Sequence, residues 1–244
     1  MPTELDVAQH VAAELLAEMR AGSGWPLGLA TGRTMEAVYA ALAVGLAALS
    51  PPQQLHLREQ WLSFNLDEYV GLAPGDARSF AAFMARHVVE PLELDPAQVR
   101  LPDGLVPDPA TEARRFGQEL AAAGGIGLQL LGLGLNGHVG FNEPPCRAEV
   151  STRVVELCST TRRQNAAAFG GDPAAVPAQA ITVGLAEILT ARRILLVVTG
   201  AAKAAVLARL LREEPSEDLP ASWLRRHTAV TLVADRAALV EWLG

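Results

Sequence analysis

Apolar residues recur along this chain at two alternating spacings. Val7, Val11, Leu15 and Met19 fall at helical spacing, and Thr3 with Asp6 three residues on has the capping-box pattern, so 3–20 predicts a helix. Ala21-Gly22-Ser23-Gly24 ends it. A short apolar run at 26–30 predicts a strand, and 35–49 an apolar helix. After Pro51-Pro52, residues 61–65 read as a second strand; helices follow at 79–89 and 111–123, with turn-rich 91–109 between them and Thr111 as a cap. Residues 127–132 form a further strand. The second half predicts a strand at 153–157, helices at 160–169 and 181–190, and a very apolar strand at 193–199. A helix from Ala201, a turn and short helix at 215–223, a strand at 228–234 and a helix at 236–242 complete the pattern. Short strands alternating with helices imply βαβ units, hence an α/β fold with a mainly parallel sheet covered on both faces.

Length and charge narrow the picture. The 244 residues suffice for one α/β domain with a sizeable core, and no low-complexity linker divides them, so 1–244 reads as a single domain. A net charge of −7 argues against a nucleic-acid or anionic-membrane binder, which needs a basic face. It leaves room for an anionic small molecule held by a few cations and backbone N–H groups. Cys146 and Cys158 are the only cysteines; with no zinc-site spacing and no leader pattern, the chain reads as cytoplasmic and metal-free.

Candidate chemistry gathers after the strands. Thr31-Gly32-Arg33-Thr34 joins a strand to a helix, placing free N–H groups and the helix dipole at one spot, with a guanidinium beside them. An ordinary turn capped by Thr34 is the alternative. Asp67 and Glu68 follow the second strand; they suit a general base or merely two solvated loop acids. The run Leu130–Pro145 ends in glycines and then presents Asn136, His138, Asn142 and Glu143. Lys203 lies in a helix's first turn, where it opposes the dipole unless it reaches water or shares an anion. Carboxyl-end edges are where open α/β sheets bind ligands. The segment at about 146–180, between this motif and the next firm element, reads either as a lid or as a surface excursion.

Three stretches carry a resemblance: Ala30-Thr31-Gly32 with Thr34; Phe64-Asn65-Leu66-Asp67-Glu68-Tyr69-Val70-Gly71-Leu72; and Leu131 to Pro144, containing Gly137-His138-Val139-Gly140-Phe141-Asn142-Glu143-Pro144. With Ser216 to Ser222 they make the chain similar to the shorter bacterial glucosamine-6-phosphate deaminases. The resemblance implies a Rossmann-like open sheet, a small amino-sugar phosphate as substrate, and no cofactor. It assigns ring opening to His138 with Glu143 as its partner, the carboxylate bonding the far imidazole nitrogen. Asp67 becomes the base for the C2 proton. Asn136, where many members carry Asp, takes an orienting role because an amide takes no proton. Thr31, Gly32, Arg33, Thr34 and Lys203 become the phosphate site.

Two departures stand out. Arg33 replaces a second glycine of the family loop, and Ala167 occupies the place of a phosphate-binding lid arginine, so Arg33 is expected to substitute for it, with Arg162 or Arg163 as alternatives. Val155 stands where allosterically activated members carry lysine, and the longer tail of the hexameric members is missing, which implies a monomer without such activation. A lactonase-like hydrolase and a non-catalytic sugar-phosphate sensor are the rival functions; Asp67 together with Phe141-Asn142-Glu143-Pro144 speaks against the first, and Asp67, His138 and Glu143 speak against the second.

Overall fold

Apolar runs that stop at small residues become the strands of a parallel sheet. The computed structural model describes residues 1–243. Its strands are β1 (Leu27–Leu29), β2 (Ser63–Asn65), β3 (Asp67–Tyr69), β4 (Val99–Arg100), β5 (Leu128–Gly132), β6 (Arg153–Glu156), β7 (Gln179–Thr182), β8 (Arg193–Val198) and β9 (Val230–Ala234). Among the described residues, six form a parallel sheet in the order β4-β2-β1-β5-β8-β9. Leu128, Leu130, Leu131 and Ile194 to Val198 are buried, as strands covered on both faces require. The strand order reverses between β1 and β5, and the carboxyl ends of those two strands border the main cleft.

The expected first helix forms at Glu4–Arg20, with Thr3 and Asp6 making the reciprocal capping box. Pro51-Pro52 starts a helix, Pro51–Glu59, because proline suits the first helical turn. The helix expected from Thr111 begins at Pro109; Asp108 is its cap, accepting from the N–H groups of Ala110 and Thr111 at 3.0 and 3.2 Å. Two stretches change type. Ile181 and Thr182, expected in a helix, end strand β7, and the helix starts only at Leu185. A short apolar run has no decisive period, and its pairing with neighbours settles it. Likewise Asp67–Tyr69, expected as loop, is strand β3.

These changes have one cause, a second sheet. Strands β3, β7 and β6 pair antiparallel in that order, with Asp67 opposite Thr182 and Arg153 opposite the same residue on the other side. Tyr69, Phe141, Leu157, Phe169 and Val176 form a small apolar cluster of their own, apart from the main core. Leu66 joins the two sheets. Its N–H donates to the Leu29 carbonyl at 3.1 Å, and its carbonyl accepts from the Val183 N–H at 2.7 Å.

Candidate active site

The loop after β1 is shaped by Gly32, whose φ of +110° excludes a side chain at low cost. The helix Arg33–Ala47 follows directly, so the first-turn N–H groups face the cleft edge. The Tyr39 hydroxyl donates to the Ala30 carbonyl at 2.5 Å and fixes the strand end. Across the edge, the Thr34 and Thr199 hydroxyls lie 3.1 Å apart. The Gly200 N–H donates to the Asp235 carboxylate at 3.0 Å, which sets the start of the turn Ala201–Lys203. Lys203 is held below the ordinary lysine range by burial and, next, by the Arg33 guanidinium. Two cations and a ring of N–H groups therefore meet at one end of the cleft.

The cleft itself has a volume of about 660 Å³ and is lined by 31–34, Asp67, His138, Gln164, Asn165 and Lys203, among others. It unites residues from four strand ends. Asn142, buried and bonded to the Val139 and Val183 carbonyls, is a structural clasp. The adjacent acids part company because strand neighbours point to opposite faces. Glu68 turns away and accepts from the N–H groups of Tyr69, Phe80 and Ala81 at 2.8, 3.0 and 2.8 Å, capping the helix Phe80–Met84. Asp67 faces the cleft. Burial, reinforced by the Glu68 charge, pushes its carboxyl up to about 8. Among the described residues, none donates a hydrogen bond to it, so its oxygens are uncommitted.

His138 lies against the backbone of Gly134, where any β-carbon would run into the imidazole ring. The partner expected for it was Glu143, and here the structure corrects the sequence. Asn136 Oδ1 lies 2.6 Å from His138 Nδ1 and also accepts from the His138 N–H at 3.3 Å. A short polar side chain folds back on the residue two places on more readily than a carboxylate five places on. Glu143 is instead one link behind: Asn136 Nδ2 donates to Glu143 Oε1 at 3.5 Å. Glu143 is held by the start of the helix Ser159–Asn165, where the Cys158 N–H donates to Oε2 at 2.8 Å, the Cys158 thiol to Oε1 at 2.8 Å, and the Thr161 hydroxyl to Oε1. Burial raises the Glu143 carboxyl, but these bonds outweigh it and leave it below the ordinary range.

The electrostatics follow from this order. An amide oxygen on Nδ1 selects the tautomer with the proton there, so Nε2 carries the lone pair. Burial lowers His138 to about 4; the Glu143 charge works against this and Lys203 with it. The ring is thus neutral near pH 7 and ready to accept a proton at Nε2.

The alternatives for the phosphate end separate as well. Arg162 donates to the Ala174 carbonyl at 3.0 Å and Arg163 to the Thr160 hydroxyl at 3.1 Å, while Arg33 lines the cleft. Gln164, Asn165 and Thr199, which sequence reasoning did not single out, line it too. Thr199 had a signal in its place at the end of β8; Gln164 and Asn165 had none. Among the described residues, no three His, Cys, Asp or Glu side chains gather as a metal site would need. No described helix is long and apolar enough to cross a membrane.

Comparison with known proteins finds relatives along nearly the whole chain. Residues 3–233 match the family described as glucosamine-6-phosphate isomerases/6-phosphogluconolactonase. A glucosamine-6-phosphate deaminase of Geobacillus sp. (strain WCH70) is 40% identical over 96% of this chain and 91% of its own. Glucosamine-6-phosphate deaminase 2 of Bacillus subtilis is 36% identical over 93% and 90%. Among solved structures, a monomeric glucosamine-6-phosphate deaminase superposes with a TM-score of 0.91 at 35% identity, covering 99% of this chain and 98% of that one. A 6-phosphogluconolactonase from Trypanosoma brucei, 22% identical, shares the fold with a TM-score of 0.75 over 100% and 97% of the two chains. Matched along nearly its whole length, the chain belongs to the glucosamine-6-phosphate isomerase and 6-phosphogluconolactonase family.

Proposed function

We propose that this protein is a glucosamine-6-phosphate deaminase, converting the amino-sugar phosphate and water to fructose 6-phosphate and ammonia. The observation that carries this reading is the uncommitted Asp67 carboxylate in the same cleft as a neutral His138. Lactone hydrolysis and simple sensing have no use for a second base; an aldose–ketose shift does.

The phosphate sits at the loop 31–34, on its N–H groups and hydroxyls, between Arg33 and Lys203. Like charges held together favour a dianion beside them. The sugar then extends toward His138. Its Nε2 takes the O1 proton and returns it to the ring oxygen, which opens the pyranose to the aldehyde. Asp67 removes the C2 proton while a proton of the substrate's own ammonium group passes to O1, giving an enolamine with a hydroxyl on C1; Asp67 then delivers its proton to C1, leaving an iminium at C2. Water adds to that iminium, a proton of the added water passes to nitrogen, and ammonia departs as the remaining hydroxyl loses its proton to leave the ketone. Asp67 must be ionised to begin the cycle, and its raised pKa makes it a stronger base than an ordinary carboxylate. Asn136 holds the imidazole in the required tautomer, and Glu143 holds Asn136. The helix Ser159–Asn165 covers the sugar side as a lid. The protein acts as a monomer; sedimentation at one-chain mass checks this.

The test is stoichiometric. Purified protein given glucosamine 6-phosphate should release ammonia and fructose 6-phosphate one for one. Hydrolysis of 6-phosphogluconolactone without ammonia release from the amino sugar would overturn the reading.

A further inference from the structure

Among the described residues, Glu143 is the one carboxylate of the site region that both the cleft-side relay and the helix Ser159–Asn165 share. We propose that Cys158 and Thr161 form a clamp on Glu143 that fixes the amide orientation of Asn136 and so keeps the Nε2 lone pair of His138 facing the sugar. The inference rests on the deaminase reading and names two positioning residues for it.

An asparagine amide has two orientations that exchange its oxygen and nitrogen. In the one observed, Oδ1 meets His138 Nδ1 and Nδ2 meets Glu143 Oε1. Turned over, Oδ1 would face the Glu143 oxygen, acceptor against acceptor. An ionised, immobile Glu143 therefore joins the His138 N–H, which donates to Oδ1 at 3.3 Å, in selecting the amide orientation, and through it the imidazole tautomer. The clamp supplies both conditions. The Cys158 thiol and the Thr161 hydroxyl donate to the same Oε1 while the Cys158 N–H takes Oε2, which leaves the carboxylate no free rotation. Cys158 Sγ also accepts from the Thr161 N–H at 3.5 Å, so the clamp belongs to the helix cap itself. Three and four residues beyond Thr161, on the same side of that helix, Gln164 and Asn165 line the cleft. The element that touches the substrate space and the element that sets the relay are thus the same.

Three variants test this. Cys158→Ala removes a donor, Cys158→Ser keeps one, and Thr161→Val removes the other at nearly constant volume. Hydrogen bonds to a charged group predict that Cys158→Ala and Thr161→Val each lower kcat about tenfold, with KM moving less than about twofold. Cys158→Ser should stay within about threefold of wild type. Nitrogen-15 NMR of His138 should show the Nδ1-protonated ring in wild type and Cys158→Ser, and a tautomer mixture in the other two. Wild-type kcat in both donor-removing variants with an unchanged tautomer would overturn the proposal. Equal losses in Cys158→Ser and Cys158→Ala would do the same for Cys158, by reducing its role to packing. The tautomer readout needs no turnover, so a wild-type protein that releases no ammonia refutes the deaminase reading and leaves the clamp still decided by NMR.

Discussion

The two ends of the cleft are built on opposite plans. At the His138 end, groups are locked to one another: imidazole to amide, amide to carboxylate, carboxylate to thiol and hydroxyl. At the Arg33–Lys203 end, two like charges approach across a loop of N–H groups, and Arg33 is exposed. The first plan fixes where a proton sits. The second fixes only where negative charge is favoured. Damage at the locked end should therefore appear in kcat, and damage at the charged end in KM.

On the proposed mechanism Asp67 works with the locked end although its side chain bonds to nothing there, and its removal gives the largest expected effect. Asp67→Asn should lower kcat by about 10²–10⁴-fold with little change in KM, measured as ammonia release at saturating glucosamine 6-phosphate. A loss confined to KM would move Asp67 to the binding side. The next effect is one of pH. If Asp67 is the base it works ionised, so activity should be full above a pH of about 8 and fall below it, about tenfold for each unit, as the carboxyl takes up its proton. His138, lowered to about 4, stays neutral over that range and adds no second limb. A profile flat from pH 6 to 9 would remove Asp67 from this role. The smallest effect separates the two ends most cleanly. Arg33→Ala should raise KM about tenfold while kcat holds, and added salt should weaken wild-type binding more than that of the variant. An unchanged KM would assign the phosphate to Lys203 and the backbone alone.

Much of this molecule can be read from its residues, and the unread stretches share a reason. The parallel sheet was legible because buried strands such as Leu128–Gly132 and Arg193–Val198 are apolar runs closed by small residues. The capping box at Thr3 and Asp6 is local chemistry, visible in four residues. Strands β3 and β7 were not legible, since Asp67-Glu68-Tyr69 and Gln179-Ala180-Ile181-Thr182 are too short to show a period and exist by pairing across more than a hundred residues. The same holds in the site. The motif from Gly137 to Pro144 announces His138 and Glu143, but the bond between neighbours is decided by what else competes for each group. Glu143 goes to Cys158 and Thr161, fifteen and eighteen residues away. Asp67 and Glu68 look alike in sequence; strand geometry sends the first into the cleft and the second to a helix start.

Leu66 is bonded on both sides, its N–H to Leu29 of β1 and its carbonyl to Val183, the residue after β7. Asp67 is the next residue along the chain and pairs in its turn with Thr182 of β7. The backbone that carries the carboxylate is therefore tied into the parallel sheet just before it and into the antiparallel sheet at its own position. An acid seated at such a junction keeps its aim without a hydrogen bond to its own oxygens, which leaves them open to a proton.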